Sequence, residues 1–255
     1  MLVDTHCHLY FKELEDDLPG VLERANELGV SRFICVGTNL DDSRRSLELA
    51  EQYDSIYASA GIHPHDAKDA NEGYLQELET LLSHPKMVAC GEMGLDFFRN
   101  ISEPATQKKV FREQLDLAEQ LKKPVIFHNR NADEDIINIL SEKRDIKGVS
   151  HCFSSTLETA NIFITLGFYI SFSGNLTFKN STLPGVAEHL PLDKLLVETD
   201  SPFLSPMPHR GKTNEPGRAR FVAEKLAEIK GVQLETVVSH TTQNAKDLFG
   251  FEQSF

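Results

Sequence analysis

The sequence predicts an α/β protein, a single (β/α)8 TIM barrel, on three observations. Short apolar, β-rich runs alternate with helix-patterned stretches of about 10 to 15 residues, the rhythm of βα units and a parallel sheet. Eight such units fit within 255 residues, an ordinary length for one closed barrel. No GxGxxG follows the first strand, where a doubly wound nucleotide-binding sheet carries one; His6-Cys-His8 stands there instead.

Strand one, residues 3–6, leads into that His-x-His, and residues 14–28 form an amphipathic helix stopped by Gly29. Residues 31–36 are strand two, closed by Gly37, and Asp41 or Asp42 caps a helix running to about Tyr53. Strand three, 56–60, delivers Gly61-Ile-His-Pro-His65, and a helix over 72–82 ends before the break at His84-Pro85. Strand four, 87–90, runs into Gly91-Glu92; a longer loop with Asp96 and Arg99 precedes a helix over 104–121. Strand five, 124–127, delivers His128, a helix covers 133–143, and strand six, 148–150, delivers His151. A helix over 157–166, strand seven over 168–172 and a short helix over 183–189 lead to strand eight, 195–197, which delivers Glu198-Thr-Asp200. Residues 201–217 form a loop that four prolines (Pro202, Pro206, Pro208, Pro216) stiffen into a fixed rim. Helices over 218–229 and 234–249 close a chain in which residues 1–255 make one barrel domain.

With 40% hydrophobic and 25% charged residues, the composition is that of a globular protein. No apolar run approaches the roughly 18 to 20 residues of a membrane helix, and no charged n-region with an apolar h-region opens the chain. Cys7, Cys35, Cys90 and Cys152 are scattered, with no CxxC pair, which fits reduced thiols and a cytoplasmic location. Nothing points to an obligate protein partner. A net charge of −13 argues against a broad basic surface for nucleic acid. It is compatible with a nuclease that meets phosphate through bound cations and a few local Arg and Lys residues.

Barrel enzymes collect their catalytic residues from the C-terminal ends of several strands. That face here receives His6, His8, Glu92, His128, His151 and Asp200. His6 and His8 lie two apart, so a strand points both to one side. Imidazoles mixed with carboxylates suit Zn²⁺, Mn²⁺, Co²⁺ or Fe²⁺, and Mg²⁺ less well because it prefers an all-oxygen shell. Two such ions, sharing a carboxylate at about 3.5 to 4 Å, would activate a water and clamp both oxygens of a displacement. Arg99, Arg130, His209, Arg210 and Lys212 are candidates for phosphate contacts. His84, His189 and His240 lie on helices or their ends and are expected to have no function. Cys7 and Cys152, beside ligand candidates, are expected to point away and pack.

Six segments, in order, resemble the TatD family of metal-dependent deoxyribonucleases in the amidohydrolase superfamily. They are Asp4-Thr-His-Cys-His8, Gly61-Ile-His-Pro-His65, Gly91-Glu-Met-Gly-Leu-Asp-Phe-Phe98, Ser150-His-Cys-Phe153, Glu198-Thr-Asp-Ser-Pro202 and Arg210-Gly-Lys-Thr-Asn-Glu-Pro216. The resemblance implies that His6, His8 and Asp200 hold one divalent ion, and that Glu92 bridges to a second held by His128 and His151. It further implies that Asp200 orients or deprotonates the attacking water and that His63 contacts the substrate phosphate, with Arg130, Arg210 and Lys212 as further substrate candidates. The family often has Ser and then Arg-Asp after the strand-five histidine; His128-Asn-Arg-Asn131 keeps the Arg and departs on either side of it.

The expectation is therefore a two-metal hydrolase of phosphodiester bonds in DNA, acting on single strands or ends as a 3′-to-5′ exonuclease by resemblance. A second reading keeps the metals and changes the bond to an amide, lactone or ester, including that of a mischarged aminoacyl-tRNA. Cations on the pocket rim favour phosphate, whereas an apolar rim favours esters. A third reading, a non-enzymatic module with a structural metal, sits poorly with six ligand-type residues, because structural zinc sites close with four.

Overall fold

In the computed structural model, which describes residues 1–250, the apolar runs pair as eight parallel strands in sequence order. They are β1 (Leu2–Cys7), β2 (Val30–Val36), β3 (Ile56–Ala60), β4 (Met87–Asp96), β5 (Val125–Arg130), β6 (Gly148–Ser150), β7 (Phe168–Phe172) and β8 (Leu195–Val197). Around them lie α1 (Lys12–Glu15), α2 (Leu18–Glu27), α3 (Leu40–Gln52), α4 (Tyr74–Leu82), α5 (Pro104–Leu121), α6 (Asp133–Ser141), α7 (Leu157–Thr165), α8 (Leu183–His189), α9 (Ala219–Lys230) and α10 (Leu234–Phe249). The chain is a (β/α)8 barrel.

Alternation sorts the strand side chains into two apolar layers. Val3, Ile34, Ile126, Val149 and Leu196 form an inner cluster. Phe33, Cys35, Val125, Phe127, Leu195 and Val197 belong to the larger cluster beneath the helices. Ala245, Leu248 and Phe249 of α10 join the inner cluster. Asn244 donates to Leu192 O and Leu195 O (2.8 and 2.7 Å), and Thr242 to Met1 O (2.8 Å), so α10 covers the end where the strands begin. The same parity carries inward function at the other end. His128 follows Ile126 by two residues, His151 follows Val149, and Glu198 and Asp200 follow Leu196.

Two strands need an irregularity to complete the set. Between the pairs Asp4–Phe33 and Cys7–Cys35, β1 advances three residues while β2 advances two. Between Cys90–Val125 and Met93–Phe127, β4 has the same one-residue excess over β5. Such bulges re-aim side chains. They fall at His6 and Glu92. The ring joins between β8 and β1 at this end as well, with Asp200 N–H donating to His6 O (2.9 Å) and His8 N–H to Ser201 O (2.8 Å).

Three elements differ from the sequence expectation. The helix over 14–28 is two helices, because Pro19 lacks an N–H and is tolerated only in a first turn; α2 restarts at Leu18 to place it there. Strand four continues past Cys90 to Asp96, and strand five continues to Arg130. Glycines that look like stops instead let β4 run on: Gly91 and Gly94 have φ of +141° and +132°. A Cβ there would sit 2.3 Å from Ile126 O and 2.1 Å from His128 O, so β4 and β5 meet at a distance only glycine permits.

Candidate metal centre

Glu92 is the pivot of the cup. Its Oε2 lies 3.3 Å from His6 Nε2, while its Oε1 lies 2.8 Å from His151 Nε2, 3.3 Å from His128 Nδ1 and 3.3 Å from His63 Nε2. On the Oε2 side, His6 Nε2 and His8 Nε2 are 3.2 Å apart, and Asp200 Oδ1 is 3.7 and 3.4 Å from them. On the Oε1 side, His128 Nδ1 and His151 Nε2 are 3.3 Å apart. Two donor sets thus flank one carboxylate. His6, His8 and Glu92 form a triad compact enough to share an ion, and two further triads, His6–His151–Asp200 across the sets and His63–Glu92–His128, are as compact.

What lies behind a ring assigns its tautomer for His8, His128 and His63, whereas His6 Nδ1 is buried without a hydrogen-bond partner. His8 Nδ1 faces Val36 O at 2.9 Å, an atom that only accepts, so Nδ1 carries the proton and Nε2 turns a lone pair into the cup. His128 Nε2 faces Asp96 Oδ2 at 3.2 Å, which leaves Nδ1 as its donor. His151 Nδ1 lies 3.4 Å from Glu198 Oε1, an ion-pair distance short of hydrogen-bond geometry that favours a proton on Nδ1 and leaves Nε2 toward the cup. His63 is the reverse. Its Nδ1 accepts the backbone N–H of His65 (3.1 Å), so in the neutral ring Nε2 carries the proton. Although His63 is close enough to share an ion with Glu92 and His128, it presents an N–H rather than a lone pair.

Lone pairs facing one another across these gaps repel unless a cation lies among them. Ligand atoms each roughly 2.1 Å from a common ion are about 3.0 to 3.4 Å apart at octahedral or tetrahedral angles. Most of the observed separations fall in that range; His151 to Glu92 at 2.8 Å is shorter and His6 to Asp200 at 3.7 Å is longer. Electrostatics agree in sign. Burial alone would raise the Glu92 carboxyl, yet the imidazoles of His151, His63 and His128 outweigh it and hold it well below the ordinary range. Burial likewise opposes ionisation of Asp200, but His8, His6 and His151 keep its carboxyl low. Burial would lower His151, and Glu92 and Glu198 drive it well above its usual value. The cup favours positive charge, and its residues fit divalent cations.

The centre opens into a cavity of about 820 Å³. Of the sequence-proposed phosphate contacts, His63, Arg99 and Arg130 line it. The Arg130 guanidinium stacks 4.0 Å over Phe98. Lys68 lines the cavity too, and among the described residues none of the three cations enters an ion pair, whereas Arg24, Arg45 and Lys108 each face a carboxylate. Arg210 and Lys212 lie outside the lining; Arg210 stacks on Phe178 at 4.1 Å, and His209 packs on Phe221. The proline-rich loop is tied down by buried Asn214, which donates to Thr199 O and Phe203 O (2.9 and 2.7 Å).

Three contributors escaped the sequence reading. Asp96 Oδ2 faces both His128 and His65 (3.2 and 3.0 Å), while its Oδ1 accepts from Phe98 N and Arg99 N. Glu198, quoted only as part of a motif, stands behind His151 and accepts from Cys152 N (2.6 Å). Asp4 joins the β1–β8 seam through Thr199 N and Oγ1 (2.8 and 2.5 Å). The signal for Asp96 lay in the glycines of β4: a strand reaching residue 96 brings it to the same rim. Cys7 packs in the core as expected, whereas Cys152 borders the cavity, its thiol 3.2 Å from Ser173 Oγ.

Comparison with known proteins bears on this arrangement. A protein of Bacillus subtilis (strain 168) named uncharacterized metal-dependent hydrolase YabD is 45% identical over 98% of this chain and 99% of its own length. The 3′-5′ ssDNA/RNA exonuclease TatD of Edwardsiella piscicida is 37% identical over 97% and 99%. The crystal structure of YjjV, a TatD homolog from Escherichia coli K12, superposes with a TM-score of 0.94 at 32% identity, covering 98% of each chain. The family model for TatD-related DNases matches residues 3–250. With a match that spans all eight strands and both donor sets, the chain belongs to the TatD-related DNase family and is a metal-dependent hydrolase.

Proposed function

We propose that the protein hydrolyses phosphodiester bonds of single-stranded DNA from the 3′ end, using two divalent cations. The observation that carries this reading is the pairing of two donor sets across Glu92 with three cations outside any ion pair, Lys68, Arg99 and Arg130, in the same cavity, which Asp66 and Asp69 also line. The similarity to a 3′-5′ ssDNA/RNA exonuclease supports the polarity. His6, His8 and Asp200 would hold one ion, His128 and His151 the other, and Glu92 both. The ions supply Lewis acidity at the phosphoryl oxygens and make a water more acidic.

The remaining work falls to the chain's own groups. Asp200, ionised and beside His8, orients the attacking water and accepts its proton. His63 donates its Nε2–H to a phosphoryl oxygen, which suits a ring whose pKa burial lowers to about 4 and which is therefore neutral. Arg99 and Arg130 neutralise neighbouring phosphates. The water oxygen bonds to phosphorus, the bond to the 3′-oxygen breaks, and a proton ends on that oxygen. The products are a nucleoside 5′-monophosphate and a strand one unit shorter.

Hydrolysis assays on single-stranded DNA, double-stranded DNA and a panel of small esters test this reading, with Glu92→Ala and Asp200→Asn as controls. Chelator-sensitive cleavage of the single strand, lost in both variants, is the expected outcome. Full, chelator-resistant activity in both variants would sink it, and turnover of esters alone would transfer the site to the ester reading.

A further inference from the structure

The cavity has two unlike walls. Its cations come from the β3–β5 arc: Lys68 after β3, where Asp66 and Asp69 also line the cavity, Arg99 after β4 and Arg130 at the end of β5. The wall from the β8–β1 arc, diametrically across an eight-stranded ring, is Phe11, Phe203 and Leu204, and no Lys or Arg lines the cavity there. Phe203 is 48% exposed; because Ile101 lines the cavity on the cationic side at 50% and Phe98, beneath Arg130, is 58% exposed, what sets the β8–β1 wall apart is its lack of Lys and Arg rather than apolar exposure alone.

The Phe203 ring is held in place. Its edge-to-face partner is Phe11, with centroids 5.4 Å apart, and its centroid lies 6.2 Å from that of His8. Its backbone N–H donates to Asp200 O (2.9 Å), and its carbonyl accepts from Asn214 (2.7 Å). The turn that carries Asp200 therefore also fixes the ring beside the donor set of His6, His8 and Asp200.

We propose that the wall of Phe11, Phe203 and Leu204 is the subsite for the terminal nucleobase of the strand being cleaved; this rests on the phosphodiesterase reading above. A strand with its scissile phosphate at Glu92 has further phosphates on one side only. The cationic wall takes those, and the terminal unit, with no phosphate beyond its own, faces the wall that has no cation. The base offers a π-face to Phe203, a contact open to every base. The apolar half of the rim thereby has a role in nucleic-acid cleavage without an ester substrate.

The test compares a single-stranded deoxyoligonucleotide with the same strand ending in an abasic 3′ residue, with Mn²⁺ present. The wild type is expected to lose roughly 10-fold in kcat/KM on the abasic end, carried by KM. Phe203→Ala is expected to lose as much on the natural end and nothing further on the abasic one, and Phe203→Tyr to retain the preference. Equal rates of the wild type on both ends would overturn the subsite, and that comparison needs no variant. So would a Phe203→Ala loss that is the same on both ends, which marks a structural role. A wild type that turns over neither strand overturns the phosphodiesterase reading and the subsite with it, whereas turnover without discrimination removes the subsite alone.

Discussion

A histidine's chemistry in this cup is set by the atom behind it, and that makes single-residue predictions sharp. Asp96→Asn keeps an oxygen for Phe98 N and Arg99 N but turns an amide N–H toward His128 Nε2. The ring must then carry its proton on Nδ1, and its donor is lost to the metal. Metal titration should show affinity at one site falling about 10- to 100-fold, with little change in thermal midpoint; unchanged affinity would refute the assigned tautomer. His63 makes the opposite case. Burial lowers its pKa from 6.5 to about 4. A histidine so depressed contributes stability that is intact above pH 6.5 and lost as pH falls toward 4. In the metal-free protein, His63→Gln should gain on the wild type over that window, by up to about 3 kcal/mol. A stability difference independent of pH would show His63 to be an ordinary imidazole. At this scale the sequence was informative about which residues meet, since ligand types after apolar runs mark strand ends. It was silent on tautomers, because the partners behind the rings (Val36 O, Asp96, Glu198) lie on other strands or form no pattern of their own.

Among the elements, β4 shows where pattern fails. Its glycines resemble a strand end, and the expected strand stops at Cys90, yet Gly91 and Gly94 exist to let β4 approach β5. Gly94→Ala would place a methyl 2.1 Å from His128 O at a positive φ. We expect a loss of at least about 2 kcal/mol in chemical denaturation. Gly185→Ala, in α8 with nothing within 4 Å, should be neutral or add up to about 1 kcal/mol. Equal effects from the two would remove close approach as the reason for Gly94. The bulges at His6 and Glu92 were equally hidden: alternation predicts that His6 and His8 share a side, but the extra residue that turns that side inward follows from the pairing with β2. The helix boundary at Pro19 was available in the sequence, since a proline five residues into a predicted helix contradicts it.

For the whole molecule, eight apolar runs in the right rhythm sufficed to indicate the barrel, because a parallel sheet's strands are buried on both faces and stand out from their flanks. Net charge set the other expectation. With −13 overall and cations confined to one wall of the cavity, binding of single-stranded DNA should depend weakly on salt. Three neutralised phosphates give a slope of log K against log salt of about −2. Arg99→Ala and Arg130→Ala should each reduce it by roughly 0.7, while Arg210→Ala and Lys212→Ala, outside the lining, should leave it unchanged. A steep slope would place DNA on a surface other than this cup. Whether Glu92 serves two metal sites at once is read directly by calorimetric titration of the metal-free protein with Mn²⁺. Two ions are expected to bind the wild type, with both weakened together in Glu92→Ala, and only one weakened in His128→Ala. Two ions bound with unaltered affinity to Glu92→Ala would contradict that shared role.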